Sequence, residues 1–198
     1  MRSFIPYRLL LFFLAAPAML MNLQLQGQTS KVKGAQLKSD KDENAIHWMN
    51  FDEAVQMSKK HPKKIFIDVY TSWCGWCKRM DATTYTDKDI IKLMSKYYYA
   101  VRLDAETSDT FHFNNHLFFN AAPHQRGSVN ELAYSLLDGK LEYPTTVYLD
   151  EKINRLTYAA GYMSAADLKT VLLYFAENKY KTLSFDEFKK SLTDNSAK

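Results

Sequence analysis

The sequence predicts an α/β fold with a mixed β-sheet, and two observations carry that expectation. Apolar, β-rich runs at Ile65–Tyr70 (IFIDVY) and Tyr97–Leu103 (YYYAVRL) alternate with segments of helical period, the order that lays strands parallel. Two further runs, Thr145–Leu149 (TTVYL) and Arg155–Ala160, are joined by Asp150-Glu151-Lys152-Ile153-Asn154, which reads as a hairpin and adds an antiparallel pair.

Order is expected to begin near Trp48. Asn50, with Glu53 three residues on, is a capping pair for a short helix through Ala54, Val55 and Met57. Asp87 caps a second helix through Ile90, Ile91 and Met94. In the segment 105–142, Ser128 with Glu131 in the box position opens another. Ser164 with Asp167 starts a helix through Leu168, Val171, Leu172 and Phe175. Ser184 with Glu187 starts a last short one, within a helical extension at 177–198.

Composition narrows the function classes. The chain has 198 residues, 46% hydrophobic and 24% charged, which suits one folded domain and excludes wholesale disorder. Six Gly and five Pro exclude collagen-like architectures. The 26 basic and 22 acidic residues leave a scattered net charge of +4, too little to argue for nucleic acid as a partner. Two cysteines cannot staple a scaffold, so their placement matters more than their number.

Residues 1–27 read as a secretory signal peptide. Arg2 and Arg8 form a basic start, and Leu9–Met21 is an uncharged, mostly apolar run shorter than the roughly 20 residues a membrane span needs. Cleavage after Ala18 or after Gly27 fits the small residues there, and Gly27 is favoured because Pro17 crowds the first site. The alternative is an uncleaved N-terminal anchor facing the periplasm. Residues 28–45 are polar, lack an apolar period and read as a flexible leader to a domain over 46–198. Export, to the periplasm or beyond, puts the cysteines in an oxidising compartment, with no stable membrane insertion once the signal is removed.

The chemistry is carried by Trp73-Cys74-Gly75-Trp76-Cys77-Lys78, directly after the run ending at Tyr70. A Cys-x-x-Cys that leaves a strand and opens a helix places the first sulfur at the helix N-terminus. Unpaired amides and the helix dipole there favour the thiolate. The second sulfur, one turn on, can attack a mixed disulfide formed by the first. Cys74 is therefore the nucleophile and Cys77 the resolving thiol. A permanent disulfide spanning three residues would remove little chain entropy, and a zinc site would need two more ligands.

The stretch Ile65–Lys78 (IFIDVYTSWCGWCK) resembles the thioredoxin superfamily, and is most similar to secreted or periplasmic members with an aromatic residue between the cysteines. The likeness runs from about Trp48 to Phe175. It implies a thioredoxin-like fold, a central mixed sheet flanked by helices, from which residues 105–142 depart as a helical insertion before the cis-proline loop, far longer than the usual connection. It implies that Asp68, six residues before Cys74, is a buried carboxylate that relays a proton for Cys77. A lone acid within an apolar strand is expected to have a raised pKa, which agrees. It further implies that Tyr143-Pro144 is the cis-proline loop facing the cysteines. Trp73, Gly75, Trp76, Tyr143 and Pro144 would then line the substrate groove. Arg102 falls near a position where thioredoxins place a lysine, and Gly161 fits the family pattern after the hairpin. Gly75-Trp76 departs from the Gly-Pro of thioredoxin itself, which changes the helix start.

The expected function is that of an exported thiol–disulfide oxidoreductase acting in the reducing direction. It would act on protein or small-molecule disulfides and be served by an unidentified redox partner. No cofactor is needed, because the electrons reside in the two sulfurs. Two alternatives belong to other classes. One is a binding module that presents the Trp-rich loop without turnover. The other is a metal carrier using Cys74, Cys77, His112 and His116, the histidines sharing a helix face at i, i+4. His47 and His61 read as ordinary surface or packing residues, and the phenylalanines of the insertion (Phe111, Phe113, Phe118, Phe119) as packing against the domain.

Overall fold

The computed structural model describes residues 44–123 and 125–196. The stretch read as a signal peptide (1–27), the expected leader as far as residue 43, and His124 lie outside the described residues. In chain order the elements are β1 (Trp48–Met49), α1 (Phe51–Lys60), β2 (Lys64–Tyr70), α2 (Gly75–Thr83), α3 (Lys88–Tyr97) and β3 (Tyr98–Asp104). There follow β4 (Phe111–Phe113), β5 (His116–Phe118), α4 (Glu131–Leu136), β6 (Thr145–Leu149), β7 (Arg155–Ala160), α5 (Ala165–Ala176) and α6 (Phe185–Ser196).

The main sheet has the order β1-β3-β2-β6-β7. β1 and β2 run parallel to β3, whereas β6 is antiparallel to both β2 and β7, so the sheet is mixed as the sequence predicts. Alternation along β2 divides its side chains between two cores. Ile65, Ile67 and Val69 pack with Phe51, Ala54 and Val55 of α1 on one face. Phe66 points to the other, against Met80 of α2, Ile90 and Met94 of α3, and Leu168 and Leu172 of α5. Full burial of such side chains contributes about 1.5–3 kcal/mol each. Asp68 has the parity of Phe66, so it faces the side carrying α2.

The capping pairs behave as their chemistry dictates. Asn50 Oδ1 accepts the Glu53 N–H (2.8 Å), Asp87 accepts from Asp89 and Ile90, and Ser164 Oγ accepts from Asp167. Ser184 and Glu187 form a reciprocal box, each bonding the other's backbone N–H. The helix they open is twelve residues long, longer than expected.

The insertion corrects two expectations. Its helix, α4, is capped by Asn130, whose Oδ1 accepts the Leu132 N–H (3.0 Å), rather than by Ser128. Asn130 is the better cap because it is fully buried and its amide also donates to Asp109 O. Its own N–H donates to Ala105 O, tying the start of α4 to the first residue of the insertion. Ser128 Oγ instead donates to Asn120 Oδ1. Second, His112 and His116 lie on no helix. Asn114 and Asn115 both adopt positive φ (49° and 60°), a tight reversal that asparagine tolerates, and the chain turns into the β4–β5 hairpin. His116 pairs with Phe113 and His112 with Leu117, so the two histidines project from opposite faces. Each has its own carboxylate neighbour, Asp52 for His112 and Glu131 for His116. They cannot share an ion in this arrangement, and no cluster of three metal-ligating side chains occurs among the described residues.

Candidate active site

β2 ends at Tyr70, and a short turn closed by Cys74 N–H to Thr71 O leads into α2. Cys74 is the N-cap of that helix: its Sγ accepts the N–H of Cys77 at 3.0 Å. Cys74 and Cys77 are joined as a disulfide. Of the two sulfur-bearing residues, Cys74 is 5% exposed and Cys77 3%, so the oxidised pair is more enclosed than a freely exposed Cys74 would be. The flanking tryptophans are the exposed groups, Trp73 at 64% and Trp76 at 60%. Gly75, at the first helical position, has open space where a side chain would begin.

Two aromatic walls border the pair. On one side Trp73 meets Tyr143 edge-on (5.9 Å between centroids), and its indole N–H donates to Glu106 (3.0 Å). Tyr143 precedes Pro144 through a cis peptide bond, as the resemblance implies. Burial, followed by the charges of Glu106 and Asp104, pushes the Tyr143 hydroxyl up to about 12, so it stays protonated at neutral pH. On the other side Trp76 packs on Tyr162 (5.5 Å), with the Arg79 guanidinium near both rings. Gly161, beside Tyr162, has φ +96° and donates its N–H to Pro144 O, so the two loops brace each other.

Asp68 is buried, 1% exposed. The sheet register sets it beside Arg102 on β3 and Thr146 on β6. Arg102 Nε lies 3.1 Å from Asp68 Oδ2, an ion pair without the alignment of a regular hydrogen bond. The same guanidinium makes two hydrogen bonds to Asp81 of α2, Nη1 to Oδ1 (2.7 Å) and Nη2 to Oδ2 (3.2 Å). It also stacks over Tyr70 (4.4 Å) and Trp48 (5.1 Å). Asp81 is one helical turn beyond Cys77, so this guanidinium ties Asp68 to the helix that carries the second sulfur. Burial raises the Asp68 carboxyl from 3.8 to about 6, and the Arg102 charge offsets only part of the increase. Desolvation wins because the carboxyl is almost wholly buried and the ion pair imperfect, so the Arg102 charge and the nearby Tyr85 hydroxyl lower it only in part.

Of the residues expected from sequence, Asp68 lies on β2, Trp73 in the turn after it, Cys74, Gly75, Trp76 and Cys77 at the start of α2, and Tyr143 and Pro144 in the cis-proline loop. Arg102 lies on β3, Gly161 after β7, and His112 and His116 on β4 and β5. Sequence reasoning missed Glu106, Tyr162, Asp81 and Tyr85, the last a buried phenol beside Asp68. Only Asp81 left a usable signal, its i, i+4 spacing from Cys77.

A thioredoxin-like fold whose Cys-x-x-Cys pair opens the helix after β2 is the fold of the thiol–disulfide oxidoreductases. The chain belongs to the Thioredox_DsbH family, described as "Protein of unknown function, DUF255", whose model matches residues 28–177. Among solved structures, a thioredoxin-fold protein from Helicobacter pylori superposes with a TM-score of 0.53 at 15% identity, over 77% of this chain and 89% of that one. A structure named DsbH Oxidoreductase gives a TM-score of 0.46 at 18% identity, over 67% and 84%. At 15% identity the Helicobacter pylori likeness speaks to fold alone. A 64-residue stretch is 31% identical to human Spermatogenesis-associated protein 20, covering 32% of this chain and only 8% of that protein.

Proposed function

We propose that this protein is an exported thiol–disulfide oxidoreductase working in the reducing direction. The observation that carries the reading is the N-cap position of Cys74, whose sulfur already accepts the Cys77 N–H. In the reduced protein the same amide and the helix dipole would stabilise a Cys74 thiolate. That thiolate attacks one sulfur of a substrate disulfide, and the other leaves as a thiolate and takes up a proton. Cys77 then gives its proton to Asp68 and attacks Cys74 Sγ, expelling the second substrate thiolate. Two electrons pass from the dithiol to the substrate, the Cys74–Cys77 disulfide remains, and a redox partner must reduce it again. A carboxyl titrating at about 6 is suited to accept a thiol proton near neutral pH and return it in the reverse step. Trp73, Gly75, Trp76, Tyr143 and Pro144 form the groove that receives the substrate.

Direction is tested by equilibrating the pair with glutathione. A potential between about −200 and −270 mV supports electron donation, and one near −120 mV, typical of a strong oxidant, contradicts it. Export rests on the pattern of residues 1–27, with the periplasm as the compartment. No helix among the described residues is long and apolar enough to cross a membrane. Intact mass of protein recovered outside the cytoplasm should lack residues 1–27, and retention of Arg2 and Arg8 in a membrane fraction would favour an anchor.

A further inference from the structure

Arg102 serves two carboxylates unequally. Asp81, on the surface side, takes both terminal nitrogens at 2.7 and 3.2 Å in a bidentate pairing, the strongest geometry an arginine offers. Asp68, in the interior, is left with Nε at 3.1 Å and poor alignment. Turning to improve this would disturb its packing over the rings of Tyr70 and Trp48. Sequence geometry builds the arrangement: the β2–β3 register pairs Asp68 with Arg102, and helical spacing sets Asp81 one turn beyond Cys77.

We propose that Asp81 is a positioning residue for the proton-transfer step: by holding the fork of Arg102 it confines Asp68 to the Nε edge and divides one positive charge between two carboxylates. This rests on the reading of Asp68 as the proton acceptor for Cys77. Removing the charge of Asp81 leaves the stacked guanidinium to Asp68 alone and removes a like charge facing it. Both effects favour ionised Asp68. The other groups facing Asp68 are Tyr85, from the segment after α2, and Tyr148 of β6, with Tyr70 on its own strand. Burial holds Tyr85 and Tyr148 well above their ordinary values, so neither changes charge over the relevant range.

The test is Asp81→Asn, a near-isosteric change at a partly exposed position. In the oxidised protein, where no thiol titrates, the Asp68 carboxyl is followed by carbon NMR. Its midpoint should fall from about 6 by about half a pH unit or more. In Arg102→Gln the midpoint should rise by about one pH unit, with Arg102→Lys falling between that variant and the wild type if the Gln protein folds poorly. The pH profile for resolution of a mixed disulfide should move with the midpoint in each variant. An unchanged or raised midpoint in Asp81→Asn overturns the proposal. A midpoint that falls while the rate profile stays fixed supports the sharing of Arg102 and overturns Asp68 as the proton acceptor, so the two failures are told apart.

Discussion

Replacing Asp68 by Asn should stabilise the oxidised protein above neutral pH and change little in acid. The native carboxyl titrates at about 6 against an ordinary value of 3.8, so the folded state binds this proton more tightly than the unfolded chain. The stabilisation from that extra affinity is fully present below about pH 4 and is lost as pH rises through about 6. The difference of about two pH units corresponds to about 3 kcal/mol, at roughly 1.4 kcal/mol for each. Asparagine has no charge to bury, and Arg102 keeps its bidentate partner Asp81 in the variant. Between pH 4 and pH 8 the variant should therefore gain about 3 kcal/mol on the wild type, or about 6–12 °C in Tm for a chain of this size. Urea or thermal unfolding of both oxidised proteins at intervals of half a pH unit measures it. Stability curves that stay parallel from pH 4 to pH 8 would refute the burial argument, whatever the offset between them.

The insertion and the tryptophan wall each give a sharper local test. Asn130→Ala should cost about 2–3 kcal/mol in denaturant unfolding, since it removes a helix cap and a buried amide's bond to Asp109 O, whereas Ser128→Ala should cost under about 1 kcal/mol. Equal costs would show that the helix start has been misplaced. Glu106→Gln keeps an acceptor for the Trp73 indole, so its rate of protein-disulfide reduction should stay within about twofold. Glu106→Ala should lose about fivefold to tenfold through the freed ring. Steady-state kinetics on a protein disulfide separates the two, and identical rates in both variants would mean that Trp73 needs no anchor.

Most of the sheet was legible because its strands announce themselves by composition. Thr145–Leu149 and Arg155–Ala160 fall as read from the sequence, and the capping pairs at Asn50, Asp87, Ser164 and Ser184 open helices where their side chains dictate. β1 was not legible, since two residues show no period and its pairing with β3 is a long-range contact. The insertion was misread where local rules compete. The His112–His116 spacing fits a helix, but Asn114 and Asn115 between them accept the left-handed backbone that turns a hairpin. Ser128 satisfies the capping-box pattern, yet Asn130 wins because burial adds bonds to Asp109 O and Ala105 O. For the site, Cys74, Cys77 and Asp68 were legible from one continuous stretch. Glu106 and Tyr162 were not, because they reach the site by folding of distant segments onto it; Asp81 sits one turn beyond Cys77, but its partner Arg102 lies on β3 and only the fold brings the two together.

The central claim is that the two sulfurs have different roles, and trapping tests it directly. Cys77→Ser retains the N-capping sulfur but cannot resolve, so with disulfide-bearing proteins it should accumulate mixed disulfides, visible as higher-mass species without reductant. Cys74→Ser leaves a thiol inside the helix without that cap and should trap far fewer. Trapping by Cys77→Ser alone is the predicted result. Equal trapping by both variants, or none by either, would contradict the assignment.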